Sequence, residues 1–220
     1  MSLKIRAYLL AGGSLVFFLF ALFSYAVKKK LLNQIDFDTT VRLQDNISRR
    51  VDTPFSLFSL FGSFEVTTVI IVLLGIFFLI KFRKLYFGLG FFFVAIFIEL
   101  LGKLFVHHPS PPFFMLRFNL GFNFPQHYVH TQYSYPSGHM LRTAFLATFF
   151  IFFLLRKLPL TKLKWIILTF IMGFSGIMFV SRVYLAEHWL SDVFGGALLG
   201  VSFALLSLAL FPSGHKKLPL

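Results

Sequence analysis

The chain has 220 residues, of which 57% are hydrophobic and only 13% are charged. A soluble domain of this size could not cover so much apolar surface with polar side chains, whereas lipid accepts it, so a soluble protein is excluded. The net charge of +13 does not indicate a nucleic-acid binder, because the basic residues punctuate apolar stretches instead of gathering on one soluble face. Cysteine is absent from the chain, which excludes disulfide and thiolate chemistry.

Six apolar stretches are long enough to cross about 30 Å of hydrocarbon as helices. The first follows Lys4 and Arg6, and it is longer than the apolar region of a signal peptide, which predicts an uncleaved helix. No linker or long repeat divides the chain, so residues 1–220 are predicted to form one all-α integral membrane domain, a six-transmembrane-helix bundle. The predicted helices lie near residues 7–27, 64–80, 85–106, 138–155, 165–181 and 193–211.

Between the first two stretches, residues 31–50 mix apolar and charged side chains and are predicted to form an interfacial amphipathic helix at the outer face. Three lysines at positions 28–30 come just before it on the same side. Their favoured interpretation is snorkelling to the outer headgroups, and the alternative is attraction of anionic lipid. The apolar side chains of the predicted helix are Leu31, Leu32, Ile35, Val41, Leu43 and Ile47.

The distribution of charge predicts the orientation of the bundle. With the N-terminus in the cytoplasm, eleven Lys and Arg fall on the inner side, whereas all eight Asp and Glu fall in outer loops or outer helix halves. Because inner loops of membrane proteins are enriched in Lys and Arg, we expect both termini in the cytoplasm, with the cell membrane as the host. The eleven inner cations are Lys4, Arg6, Lys81, Arg83, Lys84, Arg156, Lys157, Lys162, Lys164, Lys216 and Lys217.

Polar residues gather in three blocks at the ends of predicted helices. Residues 103–111 leave the third helix, residues 135–139 enter the fourth, and residues 181–192 join the fifth to the sixth. An even number of crossings separates the blocks, so they lie on one membrane face whichever orientation holds. Ionisable groups at membrane depth are costly and are candidates for function by default.

The residue types in these blocks suit a phosphate dianion, which needs positive charge and donors around its oxygens. Arg182 offers a planar guanidinium for two oxygens, and Lys103 offers a point charge. Ser137 and Gly138 stand where the fourth helix begins, and unpaired backbone N–H groups at a helix start favour an anion.

His188 and Asp192 are candidates for covalent chemistry at that phosphate. They are four residues apart, so they share a helix face if the sixth helix extends back to His188. A carboxylate on one ring nitrogen fixes the tautomer of the imidazole and leaves the other nitrogen free to attack.

The three blocks resemble the signature of the type 2 phosphatidic acid phosphatase (PAP2) superfamily, which shares its site with vanadium haloperoxidases. That signature reads Lys with Arg-Pro-Arg-Pro, then Pro-Ser-Gly-His, then Ser-Arg, five residues, His, three residues and Asp. The second and third blocks, Pro136-Ser-Gly-His139 and Ser181-Arg182 through Asp192, match it completely and in order. The six-helix layout also fits, so the resemblance covers nearly the whole chain.

The resemblance implies a metal-independent lipid phosphatase that needs no cofactor and acts at the outer membrane face. His188 would be the nucleophile that forms a phosphohistidine, Asp192 would orient it, and His139 would be the general acid that protonates the leaving alkoxide. Lys103, Ser137, Gly138 and Arg182 would bind the phosphate. Implied substrates are lipid phosphate monoesters or diphosphates: undecaprenyl diphosphate, phosphatidic acid, phosphatidylglycerophosphate and the phosphates of lipid A.

The first block departs from the signature, because it reads His108-Pro109-Ser110-Pro111 and lacks both arginines. Ser110 can donate one hydrogen bond but carries no charge, so it is a weak substitute. His107 or His108 could supply part of the missing charge. Alternatively, the protein is a lipid phosphotransferase with the same intermediate, or a weakly active or non-catalytic phospholipid-binding relative.

Two further charged residues bear on that departure. Arg142 lies one turn after His139 and could reach back toward the phosphate, which makes it a candidate ligand. Glu99 precedes Lys103 by four residues, a favourable helical pair, so it is expected to hold Lys103 without touching the phosphate.

Two other features of the sequence are not expected to be functional. His127 and His130 come close in sequence to His107 and His108, but no Cys and no carboxylate lies between 100 and 186, so no metal site is predicted. A second Pro-Ser-Gly-His string at 212–215 falls on the opposite side of the membrane and is interpreted as a coincidence.

Overall fold

The structure, a computed structural model, describes residues 1–82, 86–122, 132–157, 159 and 161–211. Eight α-helices and four short 3₁₀ turns account for most of these residues, which contain no β-strand. His127, His130 and the second Pro-Ser-Gly-His string lie outside the described residues. The helices are α1 (Leu3–Lys28), α2 (Asn33–Asn46), α3 (Asp52–Ser59), α4 (Phe64–Phe82), α5 (Gly90–Val106), α6 (Gly138–Lys157), α7 (Lys162–Tyr184) and α8 (Leu190–Ala209).

The six predicted membrane helices are confirmed as α1, α4, α5, α6, α7 and α8. Each belongs to a helical run that is long and apolar enough to cross a membrane, and α3 adds to the run that contains α4, which extends over Arg49–Lys81. The third begins later than predicted, because a 3₁₀ turn at Phe87–Leu89 comes before α5. The all-α, six-span architecture is that of an integral multi-pass membrane protein.

Helices α6 and α8 form the centre of the bundle. In their most apolar windows 56% and 67% of residues are buried, against 11–22% in the other four spans, so those four present most of their surface to lipid. Small residues of α8 allow this close packing. A Cβ at Gly196 would overlap the carbonyl of Ser137, and one at Gly200 would overlap that of Leu141, so both positions require glycine.

Helix α2 confirms the helix predicted between the first two spans, and the face that it turns toward the bundle includes polar residues. Asp36 and Thr40 are the buried residues, whereas Ile35 is 54% exposed and Leu31, just before the helix, is 69% exposed. Asp36 turns inward because its carboxylate accepts hydrogen bonds from the backbone and hydroxyl of Ser191, at 2.7 and 2.8 Å. A polar contact with α8 therefore decides how α2 faces the bundle.

Candidate active site

Hydrogen bonds join the three polar blocks at one end of the bundle. The Ser137 N–H donates to the Asp192 carbonyl at 2.9 Å, which fixes the start of α6 against the start of α8. The Trp189 indole N–H donates to the Pro109 carbonyl at 2.8 Å, which holds the segment after α5 to the same place. The prediction that these distant parts of the chain meet is confirmed.

Arg182 has an incomplete set of partners in the buried interior of this end. Its side chain is 2% exposed, and its Nη2 contacts the Glu187 carboxylate. Among the described residues, its buried Nε and Nη1 have no hydrogen-bond partner, and neither does the Ser137 hydroxyl. Buried donors are normally satisfied in folded proteins, so these groups are suited to receive the oxygens of an anion.

His188 lies before α8 and not on it, so the condition for a helix face shared with Asp192 is not met. Helix α8 begins at Leu190, and the Asp192 carboxylate accepts the Trp189 N–H at 2.8 Å from within the first turn. Its Oδ2 nevertheless lies 3.6 Å from the Nδ1 of His188. The pair thus forms through the turn that precedes the helix.

The surroundings of His188 keep its imidazole neutral. Burial lowers its pKa from 6.5 to about 4, and the charges of Arg182 and Lys103 act in the same direction, against the opposing effect of Asp192. A neutral ring at pH 7 has a free lone pair on one nitrogen, which is the form that a nucleophile requires.

His139 stands in the first turn of α6 and is 3% exposed. The charges of Arg182 and Lys103 act on its ring, and His188 is also among its electrostatic neighbours. His139 in α6, Arg182 in α7 and His188 in the turn before α8 are therefore neighbours at this end of the bundle.

Glu99 joins two cations, of which the sequence predicted one. Its Oε1 lies 3.6 Å from the Nζ of Lys103, which confirms the expected pair. Its Oε2 lies 3.4 Å from Nη1 of Arg142, whose Nε donates to the Gly62 carbonyl at 2.9 Å. Arg142 is 6% exposed, so it is buried within the bundle and does not snorkel to the surface. A Cβ at Gly138 would overlap Glu99, so the start of α6 needs glycine there.

Sequence reasoning missed two acidic residues at this site. Glu187 reaches Arg182 from within the five-residue spacer of the third block, where the signature places no requirement. Asp36 arrives from α2 and approaches His108, whose Nε2 is 3.7 Å from its Oδ2. Only the packing of α2 reveals the contact between Asp36 and His108. Ser110, the weak substitute for a motif arginine, is half-buried.

Comparison with known families agrees with this geometry. The model of the PAP2 superfamily matches residues 83–216, which contain all three blocks. The chain belongs to the PAP2 superfamily. Within it, 72 residues are 35% identical to phosphatidylglycerophosphatase B of Bacillus subtilis, and 89 residues are 38% identical to undecaprenyl-diphosphatase of Sulfolobus acidocaldarius. These matches cover 32% and 40% of this PAP2 chain, and only 36% and 38% of the relatives' own lengths.

Two solved PAP2-like structures share the fold. The transmembrane PAP2-type phosphatidylglycerolphosphate phosphatase of Bacillus subtilis superposes with a TM-score of 0.69 at 20% identity, over 90% of this chain and 93% of that one. Aquifex aeolicus LpxE superposes with a TM-score of 0.54 at 24% identity, over 79% of this chain and 94% of that one. Both comparisons support the six-span bundle described above.

Proposed function

We propose that this PAP2 protein is a metal-independent lipid phosphatase that hydrolyses a phosphate monoester or diphosphate through a phosphohistidine. The observation that carries the proposal is the pair of unpartnered Arg182 donors buried at the same site as His188. The relatives named above are phosphatases of phosphatidylglycerophosphate and undecaprenyl diphosphate. A lipid phosphate suits a site at the end of spans whose outer surfaces face hydrocarbon.

The reaction has two half-reactions, which are formation of the phosphohistidine and its hydrolysis. Asp192 faces Nδ1 of His188, so Nε2 is the nitrogen that attacks phosphorus. As the N–P bond forms, the P–O bond to the lipid breaks and His139 gives its proton to the leaving oxygen. His139 then takes a proton from water, which attacks the phosphohistidine and releases phosphate, and His188 returns to its neutral state.

Phosphate binding falls to Arg182, Lys103, Ser137 and Gly138. Ser137 and Gly138 contribute the backbone and hydroxyl donors at the start of α6, whose dipole favours an anion. Arg142 compensates for the missing motif arginines, because it adds a second buried guanidinium to the phosphate site. The half-buried Ser110 would add one hydrogen bond without charge.

The decisive experiment measures phosphate release from a panel of lipid phosphates in detergent that contains EDTA. The panel includes undecaprenyl diphosphate, phosphatidic acid, phosphatidylglycerophosphate and lipid A. Release that survives EDTA and disappears in His188→Ala supports the proposal, whereas release that EDTA abolishes contradicts the metal-free mechanism. A new phosphorylated lipid formed in the presence of an acceptor lipid would instead indicate a phosphotransferase, and absence of turnover would indicate a lipid-binding protein.

The site faces the outside of the cell in this proposal, and both termini lie in the cytoplasm. The charge distribution supports that orientation. The exposed Phe113 lies at the same end of the bundle as the site, since Gln44 donates hydrogen bonds both to Met115 in the 3₁₀ turn of Phe113 and to Tyr184, the last residue of α7. Since the chain has no cysteine, single cysteines report on sidedness cleanly. In intact cells an impermeant maleimide should label Phe113→Cys and not Lys81→Cys. The reverse pattern would refute the orientation.

A further inference from the structure

His108 faces the interior because the residue before it has left-handed backbone geometry. His107 ends α5 with φ of 56° and ψ of 40°, which reverses the direction of the chain. Its own ring packs outward against Tyr133, at 4.9 Å between ring centroids. His108 is consequently only 5% exposed, although it belongs to a loop at the end of the bundle.

The ring of His108 lies between two buried carboxylates that come from different helices. Its Nδ1 is 2.8 Å from Oδ1 of Asp192 in α8, and its Nε2 is 3.7 Å from Oδ2 of Asp36 in α2. The carboxylates are 0% and 2% exposed. Two buried negative charges require positive partners, and only the doubly protonated imidazole presents an N–H to both.

The electrostatic balance agrees with that geometry. Burial alone would lower the pKa of His108, but the hydrogen bond and charge of Asp192 and the charge of Asp36 raise it overall. Burial raises the pKa of Asp36, and the hydrogen bonds from Ser191 and the charge of His108 oppose this. The titratable groups that face His108 are therefore Asp36 from α2 and Asp192 from α8, with His188 beyond Asp192.

The oxygens of Asp192 are divided between its neighbours. Oδ1 meets His108, while Oδ2 accepts the Trp189 N–H and faces Nδ1 of His188. Loss of His108 would leave Oδ1 buried without its partner and free the carboxylate to turn away from His188. His108 thus fixes the group that in turn fixes the nucleophile.

We propose that His108 is a positioning residue, an imidazolium that bridges Asp36 and Asp192 and holds the Asp192 carboxylate toward His188. This inference rests on the proposed phosphatase function. It gives His108 of the first block a role other than phosphate binding. The His108 imidazolium stabilises the Asp192 carboxylate, which in turn orients His188. It also makes α2 part of the support of the active site.

The test compares His108→Ala, His108→Asn and Asp36→Asn with His107→Gln, a neighbouring histidine that points outward. His108→Ala should lower kcat by about 10- to 100-fold, as loss of a supporting hydrogen bond to a reactive group does, while KM changes less than about twofold. His108→Asn should recover part of kcat, since its amide can still donate to Asp192. His107→Gln should behave as wild type.

The pH profile separates positioning from simple packing. Wild-type kcat should fall as the pH rises through the raised pKa of His108, because the imidazolium is then lost, and it should fall separately when the general acid His139 loses its proton. His108→Arg should remove the first decrease and leave the second. Wild-type kcat and an unchanged profile in His108→Ala would overturn the inference, and so would a rise in KM alone, which would indicate a direct phosphate contact.

Thermal unfolding keeps the inference separate from the proposed function. A raised folded pKa stabilises the native state below the ordinary pKa near 6.5, and this gain disappears as the pH rises through the folded value. The Tm difference between wild type and His108→Asn should therefore shrink with rising pH, whether or not any lipid is hydrolysed. A pH-independent difference would refute the bridge, whereas absence of turnover in a wild type with the expected Tm pattern would refute only the phosphatase.

Discussion

The two ends of the central helices α6 and α8 differ in how completely their buried polar groups are hydrogen-bonded. At the end where α6 begins, buried polar atoms of Arg182 and Ser137 have no hydrogen-bond partner within the part of the chain that the structure describes. At the other end, the Tyr86 hydroxyl donates to the Ser207 carbonyl at 2.5 Å, and its ring packs 5.1 Å from that of Phe211. The same helices thus support one region whose polar group is satisfied and one whose donors remain open, and only the second is suited to bind an anion.

The largest expected effect comes from removing the proposed nucleophile, His188. His188→Ala should lower kcat by about 10⁴-fold or more, because the proposed mechanism has no other group that could form the phosphohistidine. Phosphate release from the preferred lipid measures the effect, with Tm as a check on folding. Residual turnover within about tenfold of wild type would contradict the role of His188.

The buried cations provide the next test. Arg182→Ala and Arg142→Ala should each reduce kcat/KM by about 10²- to 10³-fold, since each removes a charged donor from the developing negative charge. Arg156→Ala is the matched control, because Arg156 is an exposed arginine on the same helix as Arg142. Wild-type-like turnover in Arg142→Ala would remove it from the phosphate site and leave it a purely structural partner of Glu99.

The pH dependence of kcat/KM tests whether His188 is neutral in its buried environment. Because burial lowers its pKa to about 4, the neutral nucleophile persists as the pH falls well below the ordinary value of 6.5. The acid limb of kcat/KM should therefore lie near pH 4. Profiles between pH 3.5 and 8 on a lipid whose phosphate charge is separately titrated would show it, and a midpoint above 6 would contradict the buried environment.

A substitution at the end of the bundle that contains Tyr86 should affect stability without affecting catalysis. Tyr86→Phe removes the hydrogen bond to Ser207 and should lower the free energy of unfolding by about 1 kcal/mol. Thermal unfolding in detergent measures this loss, and kcat should remain within about twofold of wild type. A large drop in kcat with unchanged Tm would show that the two ends are coupled and that the contrast between them fails.

Local pattern was sufficient for much of this molecule. Runs of apolar residues predicted all six spans because the hydrocarbon thickness sets their length, and motif spacing predicted which helix ends carry Arg182, His139 and His188. Whether His188 and Asp192 share a helix face stayed open in the sequence, because periodicity does not reveal that α8 begins at Leu190. Their approach depends on a turn and a backbone hydrogen bond.

Contacts between distant segments escaped prediction for a related reason. Asp36 is buried in α2 because its carboxylate binds Ser191, which is 155 residues away in sequence, and the apolar pattern of the helix gave no sign of this contact. Glu187 falls in a spacer where the motif specifies no residue type. Pairwise contacts of this kind arise from packing, which hydrophobic periodicity does not encode.

The open donors of Arg182 also bear on how the purified protein behaves. Any small oxyanion that satisfies them binds the folded chain and not the unfolded one, so vanadate, tungstate or inorganic phosphate should raise the melting temperature in a concentration-dependent manner. At about 100 times its dissociation constant such an ion adds about 2.7 kcal/mol to the free energy of unfolding. The protein is thus least stable without a bound oxyanion, and the phosphate released in the proposed reaction would stabilise it.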